Sequence, residues 1–236
     1  MSVVTTPNGI YELDTEDCWI RNHMSGGQVF ESHIINGYLK NIVTKSKYIV
    51  DVGANIGCHT VSYGLFNKES EIWSFEPQKK TFDILSRNVD RNNLSNRVKV
   101  FNCGLGHVDM ECEMASVESA DKDMYRGGCN KGGLGLGQGG EKTKIITLDS
   151  LDLPGLDYMK IDVEGAEGLV IMGAKKTIQK YKPVVFFEHN SQSINPSHVN
   201  LERIPTPFEE LSKLGYKQYV YTDWENYLAF VHQHLA

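Results

Sequence analysis

From residue 48 onward, short β-branched and aromatic runs alternate with stretches whose apolar positions recur at helical spacing. "KYIVDVG", "SEIWSFEP", "RVKVFNCG", "DYMKIDVEG" and "KPVVFFEHN" read as strands, the second halted by Pro77. Between them, "IGCHTVSYGLFN", "QKKTFDILSRNVDRNN" (Phe82, Leu85 and Val89 on one face) and "AEGLVIMGAKKTIQKY" read as helices. Strands and helices taking turns are the mark of a parallel sheet covered on both faces. "TPFEELSKLGY" adds a short helix, with Thr206 at its N-cap, Pro207 in the first helical position, Glu209 placed for a capping box and Gly215 as its stop. Too few residues separate "YKQYVYT" from "NYLAFVHQ" for a crossover helix, so these last two strands pair antiparallel. The expected fold is α/β and Rossmann-like: a mostly parallel seven-stranded sheet with helices on both faces and a C-terminal antiparallel hairpin.

Two regions lie outside this alternation. Residues 1–47 read as a β-rich arm, "GIYELDTEDCWI", followed by a helix around "QVFESHIINGYLKNIV". Residues 107–142 lack strong periodicity, and eight of the fifteen residues in 126–140 are glycine. So long a loop inside a compact domain is expected to be a lid or substrate loop rather than a linker. The organisation predicted is one domain: residues 48–236 as its body, and residues 1–47 as an arm and helix covering the ligand site.

Composition narrows the classes. The 236 residues, 40% of them hydrophobic, suffice for one core, and the net charge of -6 argues against a general nucleic-acid binder. Lys175, Lys176, Lys180 and Lys182 form the densest basic group, but on a predicted helix with acids nearby they read as a solvated face. The five cysteines are odd in number and include no C-x-x-C, so neither a disulfide framework nor a zinc site is expected. No apolar run approaches the ~18 residues of a membrane span, and the start lacks the order of a signal peptide. A soluble, cytoplasmic protein is the expectation.

The chemistry starts at "YIVDVGANIGCHT", where a strand runs into a glycine turn and then a helix. Gly53 and Gly57 let a ligand approach the backbone, and the missing G-x-G-x-x-G, with Asn55 where its second glycine would stand, argues against a pyrophosphate. Glu76 ends the next strand, where a carboxylate accepts hydrogen bonds from ribose hydroxyls. A ribonucleoside with a small charged tail fits both anchors, and S-adenosylmethionine matches that description.

"VDVGANIGCHT", "SFEP", "ITLDSL", "MKIDVEGAEGLVIMGA" and "VVFFEHN", in that order over residues 48–190, resemble the FkbM-type S-adenosylmethionine-dependent methyltransferases. The resemblance implies a class I methyltransferase fold and O-methylation of a hydroxyl on a sugar, glycan or small metabolite. It places Asp51, Gly53, Asn55 and Gly57 around the methionine part and Glu76 at the ribose. It also places Asn102 and Cys103 near the base, with Phe30 and Glu31 closing over the cofactor.

An alcohol acceptor has to lose a proton to a base or a Lewis acid. Asp162, Glu188 and Asn190, at two neighbouring strand tips, form an oxygen-rich set for Mg²⁺ or a similar hard cation. Alternatively His189 is the general base, with Glu164 or Glu188 orienting it. The plain reading of Glu164 and Glu167 is that they favour a helix N-terminus. The competing functions are a methyltransferase acting on nitrogen in a macromolecule, an NAD-dependent oxidoreductase, and a non-catalytic cofactor-binding regulator.

Overall fold

In a computed structural model the chain is described at residues 2–116, 134–189, 196–199, 201–222 and 226–230. It opens with a hairpin of β1 (Ser2–Thr6) and β2 (Gly9–Leu13). Next comes α1 (Cys18–Met24), whose first amides donate to the Asp17 carboxylate. A second helical stretch begins as α2 (Ser32–Ile34), widens into a π turn (Ile35–Leu39) and ends as α3 (Lys40–Val43).

The central strands are β3 (Tyr48–Val52), β4 (Glu71–Phe75) and β5 (Val98–Phe101), joined by α4 (Cys58–Phe66) and α5 (Lys79–Arg91). Four further strands follow: β6 (Gly104–Leu105), β7 (Met110–Ala115), β8 (Leu136–Gly137) and β9 (Gly139–Ile146). The main sheet resumes with β10 (Tyr158–Ile161), then α6 (Glu167–Gly173), α7 (Lys175–Tyr181), β11 (Val184–Glu188), α8 (Pro207–Lys213), β12 (Gln218–Tyr221) and β13 (Asn226–Phe230). Its order is β12-β13-β11-β10-β3-β4-β5, and β13 runs antiparallel to both its neighbours. The pairs among β3, β4, β5, β10 and β11 are parallel, so the seven-stranded sheet has the expected form.

Register sets what each face carries. Asp51 stands opposite Lys160, and Lys160 opposite Phe186. With side chains alternating, Ile49, Tyr158 and Phe186 join the core under α4, α5 and the N-terminal arm. Val50, Val52, Met159, Ile161 and Phe187 join the core under α6, α7 and α8. Two charged side chains, Asp51 and Lys160, are thereby buried on the first of these faces.

Several expectations need correction. The helix read over "AEGLVIMGAKKTIQKY" breaks at Ala174, because the Asp149 carboxylate accepts the amides of Lys176 and Thr177 and starts a new helix there. The aperiodic stretch 107–142 holds β7, β8 and part of β9, which pair with β6 as a second sheet. Met110, Cys112 and Met114 alternate with Glu111 and Glu113 along β7, but β8 and the start of β9 carry glycines: a Cβ on Gly140 would lie 2.5 Å from the Met114 carbonyl oxygen, so bare backbone makes that contact. Residues 117–133, which include 126–133 of the glycine-rich run expected to form a lid or substrate loop, fall outside the described residues, as does Asn190. Cys18 is disulfide-bonded, although no disulfide framework was expected, whereas Cys58, Cys103 and Cys112 are free. Among the described residues, no helix is long and apolar enough to cross a membrane.

The arm is fastened by Asn88, which is fully buried. Its carbonyl oxygen accepts the Glu12 amide at 2.6 Å, and its Nδ2 donates to the carbonyls of Glu12 (3.1 Å) and Ile56 (2.8 Å). One side chain thus ties β2, α5 and the glycine turn together. Asn88→Ala should lower the free energy of unfolding by about 2–3 kcal/mol, the cost of leaving buried backbone groups without partners. Urea titration checks this, and a change below ~0.5 kcal/mol would mean that the arm is held by other contacts.

Candidate active site

The turn after β3 needs its glycines. Gly53 has φ +73°, and a Cβ on it would lie 1.8 Å from the Asp162 carbonyl oxygen. Gly57, at φ +92°, heads α4 where a Cβ would press on Leu85 at 2.8 Å. Asn55 also has positive φ, and its side-chain oxygen accepts the Ile56 amide at 2.7 Å. That local bond is why asparagine tolerates a conformation most residues avoid. The amides of Gly53 and Ala54 both donate to the Phe75 carbonyl at 3.0 Å, locking the turn to the tip of β4.

Around this turn the expected donor residues come together. Asp51 is fully buried, and its Oδ2 accepts from Thr60 Oγ1 at 2.5 Å. Its Oδ1 has no hydrogen-bond partner and lies 3.5 Å from the Lys160 ammonium. Glu76 is buried at the tip of β4 and accepts the amides of Asn55 and Gln78, each at 2.9 Å. Burial pushes its pKa up to about 7 against the pull of those two amides. Asn102 donates to the carbonyls of Glu76 and Pro77, at 3.0 Å each, and so braces the end of β4. Cys103 is half-buried, and burial raises its thiol to about 11, which leaves it unreactive near neutrality.

Opposite the turn, carboxylate oxygens of Asp162, Glu164 and Glu188 lie within 4.8 Å of one another. Glu188 is pushed up to about 11 by burial and then by its neighbours Asp162, Glu164, Glu167 and Glu31. Glu164 is held at positive φ in the turn after β10, where Gly135 would touch it through any Cβ. His189 is not among these acids; its ring packs edge-on against Phe208 on α8, at 5.2 Å between centroids.

Sequence reading missed Lys160. It is 3% exposed, donates to the Gly53 carbonyl at 2.8 Å and lies 3.2 Å from Asp162. A charge at an inward position of an otherwise apolar strand was the available signal. The role of His59 was also missed: its Nε2 meets Glu31 at 2.7 Å and its Nδ1 meets Tyr63 Oη at 2.6 Å. Tyr63 in turn meets Tyr158 at 3.0 Å. Glu31, at positive φ ahead of α2, is thereby pinned to α4 across 28 residues of sequence. The spacing of His59 and Tyr63, one helical turn apart, was visible; the partner from the arm was not.

Glu167 belongs to the helix start, as its plain reading held. Its Oε1 accepts the amides of Val163 and Gly165 at 3.1 Å, and burial raises its pKa to about 7 from an ordinary value of 4.5. A carboxyl whose folded pKa is raised stabilises below its unfolded pKa and loses that contribution as pH rises through the folded one. Glu167→Gln keeps an acceptor for both amides. It should match the wild type near pH 4.5 and exceed it at pH 8 by roughly 2 kcal/mol. Urea unfolding at the two pH values checks this, and parallel curves would remove the assigned ionisation.

A glycine turn under an acid-lined crevice, at the carboxyl edge of a seven-stranded sheet with one antiparallel strand, defines a methyltransferase-like α/β domain. The methyltransferase FkbM domain model matches residues 51–217, and the chain belongs to that family. Methyltransferase sdnD of Sordaria araneosa is 27% identical over 154 residues, 53% of this chain and 60% of that protein. Methyltransferase 1 of Beauveria bassiana (strain ARSEF 2860) is 29% identical over 144 residues, 53% of this chain and 57% of that protein. The chain therefore spans about 60% of the length of these curated relatives. Among solved structures, the methyltransferase FkbM from Methylobacillus flagellatus KT superposes with a TM-score of 0.52 at 19% identity, covering 78% of this chain and 43% of that one. At that identity the likeness concerns the fold.

Proposed function

We propose that the chain is an S-adenosylmethionine-dependent methyltransferase that methylates a hydroxyl of a sugar, glycan or small metabolite. The observation that carries the reading is the charge of the crevice. Glu31, Asp51, Glu76 and Asp162 surround Lys160, Glu188 sits among Asp162, Glu164, Glu167 and Glu31, and Asp51 keeps a buried oxygen without a hydrogen-bond donor. A ligand with a sulfonium and an ammonium suits such a site, whereas the pyrophosphate of NAD would face its acids. The residues present therefore fit the donor. Asp51 would take its ammonium, the backbone of Gly53 to Gly57 its methionine chain, and Glu76 its ribose. When bound, it supplies an electrophilic methyl group.

The chain's own part is to align and to handle a proton. Holding the acceptor in line is worth about 7–11 kcal/mol in favourable cases. Asp162, Glu164 and Glu188 are placed to take the hydroxyl proton or to orient the hydroxyl. With Glu188 pushed up to about 11, it stays protonated near neutrality and can donate a hydrogen bond, which leaves Asp162 and Glu164 as the proton acceptors. A second reading, favoured by the mutual approach of the three carboxylates, is that they hold Mg²⁺ or a similar hard cation that polarises the hydroxyl. His189 is the alternative base, its ring packed against Phe208 on α8.

The test is methyl transfer from donor labelled in its methyl group to three pools: hydroxylated small molecules and glycans, basic peptides, and RNA. Each is run with EDTA and with added Mg²⁺. Label in the hydroxylated pool is expected, and label only in peptide or RNA would overturn the acceptor class. Loss in EDTA with recovery in Mg²⁺ would select the cation over the carboxylate base.

A further inference from the structure

Lysine is rarely seated in the middle of a sheet unless its charge is compensated. Lys160 lies across from Asp51 in the β3–β10 register, on the face that also carries Tyr158. Its ammonium meets three oxygens from two strand tips: the Gly53 carbonyl at 2.8 Å, the Asp162 carboxylate at 3.2 Å and Asp51 Oδ1 at 3.5 Å. Burial opposes its charge, but the carboxylates of Asp162, Asp51 and Glu31 outweigh that and hold its pKa above the ordinary lysine value.

An apolar side chain would pack here at lower cost. What the ammonium adds is fixed geometry. Gly53 belongs to the turn proposed to cradle the donor, and Asp162 to the side proposed to face the acceptor. With no cation between them, Asp51 and Asp162 repel each other and the Gly53 carbonyl loses its donor. Asp51 is anchored through Oδ2 by Thr60, while Oδ1 is drawn toward Lys160 without being used in a hydrogen bond. A carbonyl oxygen accepts two hydrogen bonds, so Gly53 also retains capacity.

We propose that Lys160 is a positioning residue for the amino-acid end of the methyl donor. It presets the Gly53 carbonyl and Asp51 Oδ1 as a pair of acceptors for the ligand's ammonium. This inference rests on the donor assignment above. It makes a claim that a merely structural lysine does not: the effect is confined to ligands that bear the ammonium.

Two ligands separate the cases. S-adenosylhomocysteine carries the amino-acid end, and 5′-methylthioadenosine keeps the nucleoside and lacks it. Calorimetric Kd values are measured for both on the full chain, as wild type, Lys160→Met and Glu76→Ala. Lys160→Met should weaken S-adenosylhomocysteine by about tenfold or more and 5′-methylthioadenosine by less than about threefold. Glu76→Ala should weaken both in parallel, since the ribose is common to them. Equal losses in Lys160→Met, or none, would overturn the proposal. Should thermal melting show that Lys160→Met does not fold, Lys160→Gln keeps a hydrogen-bond donor toward Gly53 without the charge, and the same split between ligands is expected. A wild-type chain that binds neither ligand would overturn the donor assignment and this inference together; parallel losses in a chain that binds both would remove the role of Lys160 alone.

Discussion

The carboxyl edge of the sheet depends on how closely the tips of β3 and β10 approach. A Cβ at position 53 would stand 1.8 Å from the Asp162 carbonyl oxygen, so the chain can turn there only as glycine. The Asp162 amide donates to the Val52 carbonyl at 3.1 Å, extending the strand pairing to the very tip. That approach brings an acid from each tip beside Lys160. It also aims the Gly53 carbonyl inward, where Lys160 can reach it. The glycine turn and the acid cluster are two sides of one constraint.

From that constraint comes an electrostatic imbalance. Carboxylates of Asp162, Asp51, Glu31 and Glu76 lie near Lys160, and Glu164, Glu167 and Glu188 lie near Asp162. Burial raises Glu76 and Glu167 to about 7, and burial together with the neighbouring acids raises Glu188 to about 11. Crowding acids in this way costs stability. Perturbed ionisations that cluster in a crevice are a common sign of a working site.

How much of this was visible in the sequence depended on whether the signal was local. The strands of the main sheet were legible because β-branched runs bounded by glycine and proline mark themselves, and the capping box of Thr206 and Glu209 formed as read. Asp51, Gly53, Asn55 and Gly57 were legible because one turn needs them within seven residues. Lys160 was not, because its meaning arises only when β3 is laid beside β10. The second sheet was missed although Met110, Cys112 and Met114 alternate with Glu111 and Glu113 along β7, because β8 and the start of β9 carry glycines in place of apolar side chains. The break at Ala174 was hidden because Asp149, the residue that makes it, comes from an earlier loop. Cys18 shows the limit of counting: an odd number of cysteines without close spacing still allows a disulfide.

The central claim is that an acid-lined turn selects a cationic nucleoside donor over a dinucleotide. Isothermal titration of the full chain with S-adenosylmethionine and, separately, with NAD tests it most directly. The account predicts roughly micromolar binding of S-adenosylmethionine and no heat from NAD. Binding of NAD with silence from S-adenosylmethionine would contradict it.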